Sequence, residues 1–318
     1  MTDPLRTLVL PALGSLPLSR AGSDRDGYAR TTGNLLDTLW AAPETRVLPI
    51  AGGKAPVRGS DLVLLSPERV TRPELVLYLG RIDEGMEDAG RQVVAAVLPE
   101  IDTGLAPAEQ WMGLRDIAAS LDGRDTGLFV EAAGLANWHA THTHCSRCGA
   151  PTEAEDAGWV RRCTKDGSSH HPRTDPAIIV SVVDDDDRLL LGSAAAWPDD
   201  RFSTLAGYVE PGESLEAAVI REVGEESAVE VRSPEYLGSQ PWPFPASLML
   251  GFTARAVTTD AVADGVEMRS VRWFTRQELF TEVRDGTIAV AGGVSIARAL
   301  IERWYGGPLD GEPSEARP

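Results

Sequence analysis

Positive charge is scarce in this chain: 30 Lys and Arg stand against 48 Asp and Glu, a formal net charge of -18 over 318 residues. Holding nucleic acid by an unspecific basic surface requires Lys and Arg to neutralise phosphates. That class is excluded, DNA binding with it, and any nucleic-acid contact must be local. Cysteine is scarce too. Cys145, Cys148 and Cys163 are an odd number in one short stretch, which excludes the paired framework of a small disulfide-rich secreted domain. No run of about 18 apolar residues occurs, so no membrane-spanning helix is expected. The start, Met1-Thr2-Asp3-Pro4, lacks the charged and apolar regions of a signal peptide, so a cytoplasmic protein is expected. With 42% hydrophobic and 25% charged residues the composition is that of an ordered globular protein. The length suffices for two or three domains, each with its own core.

What is present is unevenly placed. All five histidines (His139, His142, His144, His170, His171) fall in the neighbourhood of the three cysteines, which points to a metal site. Before them, residues 1–138 read as an N-terminal α/β domain without a catalytic motif. Its expected strands are Leu62–Leu65, Glu74–Leu79 and Gln92–Leu98, followed by a mostly helical stretch from Trp111 to Ala140, broken near Asp122–Asp125. After them, the β-branched run Ala177–Val183 and Leu189–Leu191 read as a hairpin around Asp184–Asp187, taken as a solvated turn. Strands at Leu248–Ala254 and Ser270–Phe274 and a helix from Ser295 to Trp304 follow, then a loose tail over 306–318.

The segment from Gly207 to Val229 is a Gly/Pro loop running into a helix, with Ser214 as N-cap and Glu216 in the first turn. At about 100° per residue, Leu215, Val219 and Val223 share one stripe, while Glu222, Glu225 and Glu226 share the adjoining arc. Like charges three and four residues apart cost a helix roughly 0.2–0.5 kcal/mol per pair. A compensating cation is therefore expected, and Mg2+ or Mn2+ suits carboxylates that must also face phosphate oxygens.

Gly207, Glu213, Arg221, Glu222, Glu225 and Glu226 stand at the spacings of the Nudix box, and the segment resembles it at every fixed position except Ala228, where the family has Gly. The resemblance implies a Nudix α/β/α sandwich with a mixed sheet, and hydrolysis of a nucleoside diphosphate linked to some group X. It implies that Glu222 and Glu226 bind the catalytic metals, that Glu225 assists, and that the carbonyl of Ala206 adds an oxygen. Arg221 would hold the loop by pairing with Glu213, and Glu226 would position or deprotonate the attacking water. Ala228 leaves open how the chain turns after the helix, since Gly tolerates positive φ far better.

Downstream, Gln240-Pro241-Trp242-Pro243-Phe244-Pro245-Ala246-Ser247 alternates aromatics with prolines, which fix φ and leave Trp242 and Phe244 little freedom to lose on binding. Such rings stack on flat bases, although a rigid connector would read alike. Beside a Nudix box, the string resembles the motif of the NADH pyrophosphatase branch. That resemblance implies that Gln240 to Ser247 line the dinucleotide site. It also implies that Glu267, six residues before Trp273, is a further metal ligand, and that Ala297, His171 and Arg115 touch substrate.

Cys145-Ser-Arg-Cys148 with Cys163 resembles half a zinc ribbon plus one knuckle, and structural zinc takes four ligands. The fourth is Asp166, at the position of the family's last cysteine, or His170. A ribbon without metal and redox-active thiols are the other readings.

The expected organisation is an N-terminal α/β domain (1–138), a zinc-ribbon-like segment (139–172), a Nudix domain (173–305) and a flexible tail (306–318). The expected activity is metal-dependent cleavage of NAD(H) to AMP and nicotinamide mononucleotide, and removal of NAD caps from RNA 5′ ends through the same bond. A homodimer is implied by the resemblance. The alternatives are a Nudix diphosphatase for ADP-ribose or nucleotide sugars, and a non-catalytic nucleotide-binding regulator on a degenerate Nudix scaffold.

Overall fold

The computed structural model describes residues 11–309. Contacts divide the chain into two units, one of 1–17, 175–240 and 248–318, the other of 18–174 and 241–247.

In the first unit the β-branched run forms the strand Asp175–Val183, and period-2 alternation sends its residues to opposite faces of a sheet. Ile178, Val180 and Val182 point to one core together with Leu190, Leu205, Phe252 and the helical Ala218, Val219 and Val223. Ile179 packs on the other face with Ile296, Ala297 and Leu300. Val183 joins Leu189, Leu191, Phe274, Ile301 and Tyr305. The sheet runs Val231–Trp242, Ser247–Ala256, Asp175–Val183, Leu189–Ala194, Met268–Phe274, with Leu205–Tyr208 also paired to Asp175–Val183. Helix Leu215–Ser227 thus covers one face and helix Ile296–Tyr305 the other, an α/β/α sandwich.

The hairpin after Val183 forms in the expected register, with Val182 opposite Leu190. Its turn is less solvated than expected. Asp184 is 1% exposed and accepts hydrogen bonds from Arg188 N–H and Nε at 2.8 and 2.7 Å, because it closes the turn. Asp185 and Asp186 alone are exposed. Of the tail expected from residue 306, residues 310–318 lie outside the described residues, and Leu309 packs into the core beside Trp304 and Tyr305.

In the second unit, Leu75–Ile82 lies between Ser23–Asp24 and Gln92–Val97, and Gln92–Val97 pairs in parallel with Arg46–Ile50. The expected strand at Leu62–Leu65 is shorter, Asp61–Leu62 plus a bridge from Leu65 to Val47. Trp111–Gly113, expected to be helical, is a strand paired with Lys54–Pro56. Burial decides it: Trp111 fills a pocket with Ala51 and Ala106 and donates its indole N–H to Ala106 O at 3.2 Å. The break near Asp122 is a helix start, since Asp122 caps Gly123–Thr141 by accepting from Asp125 N–H.

That helix buries Glu131, whose side chain is 2% exposed, with one carboxylate oxygen unpartnered and Arg25 3.8 Å away. Burial, opposed by Arg25 and Arg30, pushes its carboxyl up from 4.5 to about 7. A raised acid contributes its stability below the unfolded value and loses it as pH rises through the folded one. Glu131→Gln is therefore expected to melt like the wild type at pH 4.5 and to gain on it as pH rises to 7 and above. The gain should level off at roughly 3 kcal/mol or less. Thermal melts across that range check it, and a gap that does not widen with pH refutes it.

Candidate functional site

The acidic helix begins where the sequence places it. Ser214 Oγ accepts from Ala217 N–H at 3.2 Å, and Val219 and Val223 are fully buried against the sheet. This stripe turns the adjoining arc inward, so that Glu222 and Glu226 are only 8% and 3% exposed, while the Glu225 side chain stays 61% exposed. Glu222 lies against strand Leu205–Tyr208, where Gly207 leaves it room: a Cβ on Gly207 would sit 1.9 Å from Glu222 Cδ.

Arg221 ties loop to helix. Its Nε and Nη2 grip the two oxygens of Glu213 at 2.8 Å each, the paired geometry that suits guanidinium to carboxylate. Its Nη1 reaches Glu222 and Glu225 at 2.9 Å, and Nη2 donates to Tyr208 O at 3.0 Å. The Arg221 hydrogen bonds, with the backbone N–H of Glu210, hold the Glu213 carboxyl down at about 2.

Glu226 is in the opposite situation. Burial, with Glu222 beside it, pushes its carboxyl up to about 8, although the Ala206 N–H donates to it. Glu222 is raised by burial as well, against the pull of Arg221. One Glu226 oxygen is buried without any partner. A second acid with an orphaned oxygen, packed beside a first in a dry pocket, is a donor set that fits a hard divalent cation. Arg221 compensates Glu222, while the orphaned Glu226 oxygen has no hydrogen-bond partner among the described residues.

Two further acids bear on them through their charge. Glu267 and Asp264 both act on Glu226 electrostatically, and Glu267 acts on Glu222. Sequence reasoning named Glu267 and did not name Asp264, which has no fixed spacing to the helix.

Ala228 occupies the helix C-cap in the left-handed region (φ 56°, ψ 11°), so the chain keeps the turn for which the family uses Gly. A residue with Cβ is strained there by about 1–2 kcal/mol. Ala228→Gly is accordingly expected to raise stability by about 1 kcal/mol with unchanged hydrolysis, as read by denaturant titration; a destabilised variant would contradict the strain.

The proline-rich tip is preorganised within the second unit. Trp242 and Phe244 pack edge to face with centroids 5.1 Å apart, and the Arg115 guanidinium lies 4.0 Å from the Phe244 centroid and 5.2 Å from that of Trp242. Asn137, missed from sequence, anchors the tip by donating to Pro243 O at 2.9 Å and Pro245 O at 3.4 Å. Pro241 and Ala246 flank this anchored stretch, half-buried, and Ser247 is buried. Gln240 is fully buried in the first unit, where its amide donates to Val294 O at 3.0 Å. Ala297 is buried in the same unit's core, and His171 is exposed.

In the ribbon-like segment the ligand atoms of Cys145, Cys148, Cys163 and Asp166 lie within 4.8 Å of one another. That spacing fits a tetrahedral zinc with bonds of about 2.0–2.3 Å. Asp166 joins the group, held ionised well below the usual carboxylate range chiefly by Ser168. His170 does not, and its Nε2 lies 3.3 Å from Ser168 Oγ. The segment is strutted by His139, whose Nε2 lies 2.8 Å from Gly158 O and whose Nδ1 faces Arg161 at 2.8 Å. Among the described residues, no helix is long and apolar enough to cross a membrane.

Comparison with known proteins matches the two segments that carry these residues. Residues 172–290 match the NUDIX domain, and residues 140–170 match the NADH pyrophosphatase zinc ribbon domain. The NAD-capped RNA hydrolase NudC of Mycobacterium bovis is 37% identical over 306 residues, covering 92% of this chain and 96% of that protein. The protein of the same name from Mycobacterium tuberculosis gives the same identity and coverage. The human NAD-capped RNA hydrolase NUDT12 is 37% identical over 193 residues, covering 57% of this chain and 42% of its own length.

Proposed function

Since the chain belongs to the Nudix hydrolases, in the branch that carries the NADH pyrophosphatase zinc ribbon, we propose that it cleaves the diphosphate of NAD(H) and of NAD-capped RNA 5′ ends. The observation that carries the reading is the buried pair Glu222 and Glu226, fitted against Gly207 with one Glu226 oxygen unpartnered. Mg2+ or Mn2+, when bound, neutralises charge on the diphosphate and lowers the pKa of water.

The chain's own residues do the rest. Glu222 and Glu226, with Glu267 and the Ala206 carbonyl, hold the cations. Arg221 keeps Glu222 and the Glu213 loop in place through its hydrogen bonds. Glu226, within this set of ligands, is suited to orient the water and take a proton from it. Arg115, Trp242 and Phe244 offer stiffly held aromatic and cationic surface to a flat ring. Cys145, Cys148, Cys163 and Asp166 hold zinc as a structural clip. A cytoplasmic homodimer belongs to the same reading and rests on the family.

Purified protein with Mn2+ or Mg2+ is offered NADH, NAD, ADP-ribose, a nucleotide sugar and NAD-capped RNA, with products identified by mass. AMP with nicotinamide mononucleotide, and RNA with a 5′-monophosphate, are expected. ADP-ribose or the nucleotide sugar turning over at far higher kcat/KM would replace this reading.

A further inference from the structure

Glu267 is exposed, in a loop that runs from Thr258 into strand Met268–Phe274, yet its backbone is fixed on both sides. Its N–H donates to Asp264 Oδ2 at 3.0 Å, and its carbonyl accepts from Ala195 N–H at 2.8 Å. Asp264 Oδ1 takes the next N–H, that of Met268, at 2.8 Å, and Gly265 N–H donates to Met268 O at 3.0 Å, closing the turn around the same carboxylate. The strand then slips register, with Ser193 opposite Ser270 but Ala194 opposite Met268, a bulge of the kind that re-aims side chains at strand ends. The loop's other anchor is Val262 N–H on Ser227 O at 2.8 Å, at the C-terminal end of the helix that carries Glu222 and Glu226.

We propose that Asp264 is a positioning residue that sets Glu267 toward Glu222 and Glu226 by accepting the backbone N–H groups of Glu267 and Met268. It acts through those two hydrogen bonds and not as a ligand. The far side of the loop faces solvent: Val262, Asp264, Gly265 and Val266 are exposed, Val266 77% so, while Ala261 and Ala263 pack against the core. Without the carboxylate, the two N–H groups would turn to water and Glu267 would sample many directions. The negative charge of Glu267 raises the carboxyls of Glu222 and Glu226, as a like charge on the same side of the fold does.

The inference rests on the reading of Glu267 as a metal-binding residue, and one set of variants separates the two. Mn2+ binding to the full chain is read by the paramagnetic resonance of the free ion, beside hydrolysis of NADH. Glu267→Gln is expected to weaken Mn2+ binding; if it does not, the reading of Glu267 fails and this inference with it. Asp264→Ala is expected to weaken Mn2+ binding about tenfold, as loss of an outer-shell partner does, and to add little in the Glu267→Gln background. Asp264→Asn keeps one of the two acceptor oxygens and turns an amide N–H2 toward the other backbone N–H, so it is expected to bind Mn2+ no more than partway between Asp264→Ala and the wild type. If Glu267→Gln weakens binding while Asp264→Ala binds as the wild type does, or if the two losses add in full, positioning is refuted and Glu267 keeps its role.

Discussion

Glu226→Gln is expected to lower kcat on NADH by about a thousandfold, within the range for losing a positioned acid or base, and to leave the protein folded. Gln fills the same volume and still offers an oxygen to the Ala206 N–H, so packing against the sheet is kept. What disappears is a negative charge that burial and Glu222 already disfavour, as the rise from 4.5 to about 8 records. Without metal, the wild type loses stability as pH rises through that range, and the variant does not. Melting in chelator at pH 8 should therefore find the inactive variant at least as stable as the active enzyme. Activity and stability are expected to move in opposite directions, because on the proposed reading the buried Glu226 charge serves the reaction and costs stability when no cation offsets it. Wild-type turnover by Glu226→Gln would sink the mechanism.

Gly207→Ala is expected to cut kcat/KM by about a hundredfold or more, the cost of displacing a catalytic group by about 1 Å. The new Cβ would lie 1.9 Å from Glu222 Cδ and 2.1 and 2.2 Å from its oxygens, so either the carboxylate or the strand Leu205–Tyr208 must move. Neither moves freely. Arg221 holds the carboxylate, and Gly207 pairs with Ile178 in the middle of the sheet. The backbone is not at issue, because Gly207 is absent from the positive-φ positions; the demand is for space alone. Steady-state kinetics at saturating Mn2+, with circular dichroism to show that the fold is intact, decide it. An Ala variant with full activity would mean that Glu222 does not need the place it occupies.

Much of the catalytic segment was legible because its information is local. Helical spacing alone put Leu215, Val219 and Val223 on one stripe and the glutamates on the next, and the Ser214 cap and Ala177–Val183 strand follow from residue type. Other features were hidden because their partners are distant. Asn137 holds Pro243 across 106 residues of sequence, and neither residue type announces the other. Trp111 was expected in a helix and lies in a strand, since burial beside Ala51 and Ala106 overrode local pattern. Asp184 was expected in water and closes its turn from inside, because Arg188 folds back onto it.

The sequence by itself determined which side chains could perform metal-assisted diphosphate chemistry, since periodicity places residues a few positions apart on a common face wherever a helix forms. Tertiary structure alone decided that Glu226 is buried with one oxygen short of a partner, that the Asp166 carboxylate lies within 4.8 Å of the three cysteine sulfurs, and that Asp264 accepts from the loop of Glu267. Burial and hydrogen-bond partnership are properties of neighbours in space, and a linear spacing carries no record of them.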